Sequence, residues 1–368
     1  MRPTAAIIDL DNLAANLRAM KDFVGPTVKY MAVVKANAYG HGAVPCALRL
    51  ESEGVDWFCV AIPEEGIELR NGGITKPILC LGTFWPGQEK LAFDHDLTPV
   101  VFNEDEAFRL NSLAATTGKI LDIHVKVDTG MGRVGVRPDV WGQFAATLAG
   151  LKHLNIDGLM THFAAAENPV ENAFTELQIE RFDSACDIFH AAGHSPKWID
   201  LANSPAAIRH PYSRGNLVRL GGALYGLLDD ILPENIDRPA LKPVLSLRSL
   251  IADIKLIEAG ETLGYGRTFT TERASHIALV PIGYADGYPR ALSNQGKAEV
   301  NDAIVPIVGR ISMDWILLDV TDTAGTKIGD EVTLIGPGIK ATDIASLVGT
   351  IGYEITCGLT ARVPRIYQ

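Results

Sequence analysis

Short apolar runs alternate with longer segments of helical periodicity from residue 28 to residue 220. The runs cover residues 28–34, 57–62, 77–81, 97–102, 121–127, 156–161, 198–201 and 217–220. Helices are predicted between them, most clearly at 63–71, 104–116 and 171–192. Strands that alternate with helices form parallel sheets. Eight such units predict an α/β fold with a closed, TIM-like (β/α)8 barrel.

The pattern changes after about residue 235, where polar and apolar positions alternate and β-branched residues become frequent. Runs at 275–281, 303–308 and 331–335 lie between turns rich in glycine and proline. Pro233, Pro239 and Pro243 cluster in the polar stretch that separates the two patterns. We therefore expect two domains, a barrel domain over residues 1–232 and a mostly β domain over residues 233–368.

Composition narrows the class of protein. With 368 residues, 47% of them hydrophobic and 21% charged, the chain reads as a globular protein too long for one ordinary core. No apolar run reaches the length of a membrane span, and the first residues lack the apolar region of a signal peptide, so a cytoplasmic location and no membrane partner are expected. The net charge of −11 argues against a nucleic-acid partner.

A metal site is not predicted. The five cysteines are scattered and form no C-x-x-C pair, so neither a disulfide framework nor a zinc site is indicated. His41, His124 and His162 lie on separate segments with no carboxylate at a spacing typical of metal ligands.

Chemically versatile side chains follow the predicted strands, where the active sites of such barrels lie. Lys35 follows the first run, and an amine in apolar surroundings is suited to a Schiff base with an aldehyde cofactor. Ser204 follows the seventh run and Gly221-Gly222 the eighth, and seryl hydroxyls with free glycine amides bind phosphate. This combination suggests pyridoxal phosphate. The residues alone leave three other readings open: Lys35 as a strand cap, Ser204 as a helix N-cap, and Gly221-Gly222 as a simple tight turn.

Short motifs recur in a fixed order along the whole chain. They lie at 32–42, 126–133, 161–164, 202–204, 218–221, 264–267, 283–287, 309–314 and 352–354. In this set and order the chain closely resembles the alanine racemases, pyridoxal-phosphate enzymes with an N-terminal barrel and a C-terminal β domain. The resemblance covers most of the chain and is highly specific, because so many motifs match jointly.

The resemblance implies a two-base mechanism that interconverts L-alanine and D-alanine. Lys35 would carry the cofactor as an internal aldimine and act as one base. Tyr265 of a second subunit would be the other base, on the opposite face of the substrate's α-carbon. The active unit is then expected to be at least a homodimer with shared sites.

Further roles are implied position by position for the cofactor and substrate sites. The phosphate-binding set would be Tyr39, Ser204, Gly221 and Tyr353, and Arg133 would contact both the cofactor and the substrate carboxylate. Arg219 would face the pyridine nitrogen with support from His162. Lys126 matches a lysine that is often carbamylated in this family and holds Arg133. Met313 and Tyr284 would form the partner subunit's wall of the substrate pocket.

Three alternatives remain at this stage. A pyridoxal-phosphate decarboxylase shares the architecture, but it would be expected to place a carboxylate where Arg219 stands. A non-catalytic pyridoxal-phosphate carrier would lack the β domain. A racemase of broader specificity is harder to exclude, although the bulky residues Tyr265, Tyr284, Tyr353 and Met313 favour a methyl-sized side chain.

Overall fold

The computed structural model describes residues 2–229, 231–233 and 235–368. Its first nine strands are β1 (Ala5–Ile8), β2 (Lys29–Val33), β3 (Trp57–Val60), β4 (Ile78–Cys80), β5 (Leu97–Val101), β6 (Leu121–Lys126), β7 (Leu154–Met160), β8 (Trp198–Asp200) and β9 (Leu217–Leu220). The later strands are β10 (Leu245–Leu250), β11 (Asp253–Ile257), β12 (Thr262–Leu263), β13 (Phe269–Thr270), β14 (Ser275–Val280), β15 (Lys297–Val300), β16 (Ala303–Pro306), β17 (Ile316–Asp319), β18 (Glu331–Ile335) and β19 (Arg365–Tyr367).

Helices alternate with the strands of the first part and are few in the second. They are α1 (Leu10–Val24), α2 (Lys35–Tyr39), α3 (Ala43–Ser52), α4 (Pro63–Asn71), α5 (Glu89–Asp94), α6 (Glu104–Thr117), α7 (Trp141–Gly150), α8 (Asn172–Ala191), α9 (Ser204–Arg209), α10 (Ala341–Val348) and α11 (Gly352–Cys357). The three helices predicted most clearly from the sequence are confirmed as α4, α6 and α8.

The parallel barrel is formed by β2 to β9. These strands pair in the order β8-β7-β6-β5-β4-β3-β2-β9. The ends of the sheet meet, because the Asn216 amide donates to the Ile199 carbonyl at 3.1 Å and the Arg219 amide to the Ala202 carbonyl at 2.9 Å. Each of the eight predicted runs coincides with one of these strands. The prediction of a TIM-like (β/α)8 barrel is therefore confirmed.

Alternation along the strands places apolar residues inside the barrel and functional ones at its end. Met31 and Val33 of β2 belong to the interior apolar cluster, and Lys35 follows two residues later. Leu217 of β9 belongs to the same cluster, and Arg219 and Gly221 lie two and four residues further on. The two-residue period thus carries side chains from the packed interior to the carboxyl end of the barrel.

The second domain is mostly β, as predicted. Its largest sheet has the order β16-β15-β18-β10-β1-β19, beside smaller sheets β11-β14-β17 and β12-β13. The first strand of the chain belongs to this sheet, since β1 pairs antiparallel with β10 and parallel with β19. The eight sequence runs did not include β1. The division of the chain at residues 232 and 233 stays a prediction.

Among the described residues, none of the helices has the length and apolar content needed to cross a bilayer.

Candidate active site

Lys35 lies at the start of an unusual turn directly after β2. The backbone φ angles of Ala36, Asn37, Ala38 and Tyr39 are 51°, 54°, 53° and 53°, so α2 is a left-handed turn rather than a right-handed helix. None of these residues is glycine, and L-residues disfavour this conformation. We call residues 36–39 the left-handed turn. The sequence motif at 32–42 did not indicate the handedness of this turn.

One cavity at the carboxyl end of the barrel contains most of the residues predicted for the site. It has a volume of about 490 Å³. The predicted residues that line it are Lys35, Tyr39, Lys126, Arg133, His162, Ser204, Arg219, Gly221 and Tyr353. The structure therefore brings together side chains from five strand ends and from the second domain. Gly222, named with Gly221 as a possible phosphate-binding glycine, also lines this cavity, as do Asn203 and Glu167, which were not among the predicted site residues.

Ser204 and the two glycines form a tight corner of the cavity. The Gly221 amide donates to Ser204 Oγ at 2.9 Å, and Ser204 is buried. A side chain at Gly221 would approach the Tyr39 hydroxyl to 2.8 Å, and one at Gly222 would collide with the Tyr353 hydroxyl. Two phenolic hydroxyls, one seryl hydroxyl and glycine backbone thus converge on one small space, which is the donor set that binds an anion.

The helix cap beside this corner is Asn203, not Ser204. The Asn203 side chain accepts a hydrogen bond from the Ala206 amide at 3.1 Å, and Ser204 is the first residue of α9. The reading of Ser204 as an N-cap is therefore wrong. Its hydroxyl is directed instead to the corner that contains Gly221.

Arg219 is held by a buried ion pair and by backbone carbonyls. Its guanidinium contacts the Asp200 carboxylate, and both side chains are buried. A second arm donates to the Thr161 carbonyl at 2.9 Å and to His162 Nδ1 at 3.1 Å. Because arginine has only donors, Nδ1 accepts and the imidazole proton lies on Nε2. Burial, and after it the Arg219 charge, hold the pKa of His162 well below its usual range.

Asp200 was missed from the sequence, although a signal was present. It is the acidic residue within the short run 198–201, otherwise apolar, that became β8. A fully buried acid needs a partner. Burial raises the pKa of Asp200, and the Arg219 guanidinium opposes that shift.

The cavity carries an excess of positive charge. Among the residues that the structure describes, its lining includes the basic side chains of Lys35, Lys126, Arg133 and Arg219 and one acid, Glu167. Burial, and after it the neighbouring Arg219 and Arg133, lower the pKa of Lys126 to about 7. A site of this charge favours an anionic ligand.

Three predicted site residues lie elsewhere in the single chain. Tyr265, Tyr284 and Met313 are 72%, 42% and 52% exposed and are outside the lining of the cavity. The Tyr284 amide donates to the Ser312 carbonyl at 3.1 Å, and the Ala285 amide donates to the Met313 carbonyl at the same distance, so two of the three loops are packed together. With the nearby Trp315, which is 43% exposed, we call these residues the exposed aromatic face.

Metal ligation finds no support among the residues that the structure describes. Within residues 2–229, 231–233 and 235–368, no group of three or more histidine, cysteine, aspartate or glutamate side chains is arranged to hold a metal ion.

The fold and the position of the cavity define the class of protein. Active sites of parallel barrels lie at the carboxyl ends of the strands, and this cavity lies there. The chain is thus a barrel enzyme with an appended β domain. A family model described as the alanine racemase N-terminal domain matches residues 8–229, and one described as the alanine racemase C-terminal domain matches residues 244–367. The chain belongs to the alanine racemase family.

Relatives along the full length support this assignment. An alanine racemase of Halothermothrix orenii is 45% identical over an alignment that covers 100% of this chain and 97% of that protein. The crystal structure of alanine racemase from a D-cycloserine-producing Streptomyces lavendulae has a TM-score of 0.94 at 35% identity, and the match covers 100% of this chain and 97% of the other. The alanine racemase of Bartonella henselae, solved with covalently bound pyridoxal phosphate, has a TM-score of 0.91 at 31% identity, with both chains covered completely.

Proposed function

We propose that the chain interconverts L-alanine and D-alanine by a two-base mechanism, with pyridoxal phosphate held by Lys35 and with Tyr265 supplied by a second subunit. One observation carries the proposal: the predicted cofactor-binding residues share one cavity in a single chain, while Tyr265, Tyr284 and Met313 are exposed and lie outside the lining of that cavity. This division fits a site completed by another copy of the chain.

The residues of the cavity fit pyridoxal phosphate. An amine at Lys35 matches the aldehyde, and the corner formed by Ser204, Gly221 and the tyrosine hydroxyls matches the phosphate. The excess of positive charge matches an anionic group. When bound, the cofactor would supply an electron sink that makes the α-proton of the amino acid removable.

Arg219 would keep the ring nitrogen of the cofactor without a proton. A guanidinium donates and does not give up its proton near neutrality, so it hydrogen-bonds to a nitrogen lone pair. The Asp200 carboxylate and the Thr161 carbonyl fix its orientation. His162, neutral and accepting through Nδ1, adds support without adding charge.

Arg133 and Lys126 would act on the substrate side. Arg133 lines the cavity beside Lys126 and would bind the substrate carboxylate. A pKa of about 7 leaves much of Lys126 as the free amine near neutrality. The free amine is the form that reacts with carbon dioxide, and the resulting carbamate would convert a repelling cation into an anion that holds Arg133. We propose Lys126 as this modification site.

The second base would come from the exposed aromatic face of a partner copy. An exposed face of large apolar residues marks an interaction surface. A two-fold dimer would bring Tyr265 of each copy to the cavity of the other, with Tyr284 and Met313 narrowing the substrate pocket. The crowding of these bulky side chains with Tyr353 favours alanine over larger amino acids.

Racemisation is tested by incubating the purified protein and pyridoxal phosphate with L-alanine in deuterated water. We expect optical rotation to fall as deuterium enters the α-position. The Lys35→Ala variant should show neither change. The control Lys29→Ala, which removes an exposed lysine at the start of the same strand, should show both. Release of carbon dioxide would assign the chain to the decarboxylases, and equal rates with larger amino acids would assign broad specificity.

The shared site is tested by mixing two inactive variants. In a dimer of Lys35→Ala and Tyr265→Ala subunits, one of the two sites contains both Lys35 and Tyr265. After random reassociation of equal amounts, about a quarter of the sites should be complete, and activity should return to about that fraction. Mixtures that stay inactive, although mass analysis detects the mixed dimer, would contradict a shared site.

A further inference from the structure

We propose that Glu65 and Arg365 are positioning residues that hold the left-handed turn in the conformation that places Lys35 and Tyr39 in one cavity. This inference rests on the proposed function in one respect, because Lys35 and Tyr39 are taken there as cofactor ligands. The contacts that carry it are within the chain itself.

The left-handed turn needs external support. Four consecutive residues other than glycine adopt positive φ angles between 51° and 54°. Such conformations persist only where the surrounding structure determines them. Local hydrogen bonds contribute: the Ala38 amide donates to the Val34 carbonyl at 2.8 Å, the Gly40 amide to the Ala36 carbonyl at 3.0 Å, and the Gly42 amide to the Asn37 carbonyl at 2.9 Å. The position of Tyr39 relative to Lys35 depends on these local bonds and also on what binds the turn from outside.

Glu65 binds the first amide of the turn. Its Oε1 accepts from the Ala36 amide at 2.6 Å, and its Oε2 accepts from the Ala61 amide at 2.7 Å. Ala61 follows β3, and Ala36 directly follows Lys35. One carboxylate thus joins the ends of two neighbouring barrel strands. A glutamine has only one acceptor oxygen in place of two, so it cannot bind both amides equally well.

Arg365 binds the residue that follows the turn. Its Nε donates to the Gly40 carbonyl at 3.0 Å, and its two arms donate to the carbonyls of Leu359, Thr360 and Val363 at 2.7, 2.7 and 2.8 Å. Burial lowers the pKa of Arg365, and the carbonyl oxygens that accept its hydrogen bonds stabilise its charge. A lysine at this position cannot reproduce the planar set of donors.

The second domain also packs closely against the same residues. A side chain at Gly40 would collide with the Thr356 carbonyl, and one at Gly42 with the Tyr367 hydroxyl. Arg365 lies on β19, which pairs with β1 in the sheet of the second domain. The turn is therefore bound at its first amide by the barrel, through Glu65, and just after its end by the second domain, through Arg365.

The test uses the conservative variants Glu65→Gln and Arg365→Lys in the full-length protein. Matched controls are Glu64→Gln, on the same turn of α4 with an exposed side chain, and Arg273→Lys, an exposed arginine paired with Asp322. Hydrogen exchange is measured at the amides of Ala36, Ala38 and Gly40 without cofactor. Binding of pyridoxal phosphate, the visible absorbance of the lysine-bound cofactor and the thermal midpoint are measured in parallel.

Both variants are expected to exchange these amides about tenfold faster or more, while the core strands keep their protection. The dissociation constant for pyridoxal phosphate should rise by about tenfold, with altered absorbance, because a small displacement of Lys35 and Tyr39 weakens binding strongly. Both controls should match the wild type.

Wild-type exchange at the turn in both variants would overturn the proposal, as would faster exchange spread evenly over the whole barrel. A variant with faster exchange at the turn but unchanged cofactor affinity and absorbance would also overturn it. If the wild type itself binds no pyridoxal phosphate, the proposed function fails, and the exchange data still decide whether Glu65 and Arg365 hold the turn.

Discussion

Replacing Lys126 with methionine tests how strongly the buried amine of the cavity destabilises the folded chain. Lys126 is 6% exposed, and burial together with Arg219 and Arg133 lowers its pKa to about 7. In an unfolded chain the pKa of a lysine is about 10.4. Methionine has a similar length and no charge, so it removes the titration and leaves most of the packing.

The pH dependence follows from the direction of the shift. Because the folded pKa is the lower one, the unfolded chain binds the proton more tightly between about pH 7 and pH 10.4. Below about pH 7 the side chain is protonated in both states, and its full cost in folding free energy is present. As the pH rises to about 10.4 the cost decreases to zero. Each pKa unit corresponds to about 1.4 kcal/mol, so the upper limit is about 5 kcal/mol. Relaxation around the buried charge reduces this, and we expect about 2–4 kcal/mol.

The assay is denaturant unfolding of wild type and Lys126→Met from pH 6 to pH 10, in buffers free of carbon dioxide and without cofactor. The variant should be more stable by about 2–4 kcal/mol at pH 6, and the difference should shrink as pH rises. Lys119→Met, at an exposed position, should differ little from wild type at any pH. A stability difference that does not change with pH would refute the reasoning. A variant that is less stable than the wild type at every pH would show that the buried charge of Lys126 does not destabilise the folded chain.

Three further substitutions test the buried polar groups of the barrel. Asp200→Asn leaves the Arg219 charge buried without its carboxylate partner, so thermal unfolding should show a loss of stability of about 3 kcal/mol or more. An unchanged thermal midpoint would contradict a stabilising ion pair between Asp200 and Arg219. Gly158→Ala would bring a methyl group within 2.5 Å of the His124 ring and should cost about 1–3 kcal/mol in denaturant unfolding. If the clash with the His124 ring is the cause, Gly158→Ala should lower stability less in a His124→Ala background than in the wild type. Equal losses of stability in the two backgrounds would exclude the clash as the cause. Arg219→Glu would place the new carboxylate beside that of Asp200, and one of the two would be protonated. The variant should form more keto acid by transamination relative to racemisation. A constant ratio of the two reactions would count against the role proposed for Arg219.

The barrel was predictable because short stretches of sequence are enough to indicate each of its strands and helices. Each of β2 to β9 is an apolar run next to a helical segment, and the run length and the alternation can be read without knowing what packs against it. The strand β1 was not predictable in this way. Its four residues Ala5–Ile8 pair with Leu245–Leu250 and with Arg365–Tyr367, which lie more than two hundred residues away. Nothing local distinguishes such a strand from the start of the barrel.

The site residues that belong to sequence motifs were predictable, whereas the features that depend on backbone conformation were not. Lys35, Ser204 and Arg219 were expected from strand ends and motifs, and they share one cavity. The left-handed turn was not expected, because no residue from 36 to 39 is glycine and local preference favours the right-handed form. Glu65 was missed for the same reason. Its carboxylate accepts a hydrogen bond from the first amide of this turn, and the sequence does not indicate the conformation of the turn.

The charges of the cavity explain why several of its groups have altered proton occupancy. Asp200 compensates Arg219, and within the described part of the chain the cavity then sets Lys35, Lys126 and Arg133 against the acid Glu167. Burial, and after it the neighbouring cationic groups, lower the pKa of Lys126 to about 7 and hold that of His162 well below its usual range, so both groups release protons more readily. An anion in the Ser204 corner would act in the opposite direction, because a nearby negative charge favours the protonated form of both groups. Binding of a phosphate and uptake of protons by the cavity are therefore linked, and the basic groups that add to the effect of burial on these pKa values also attract the ligand.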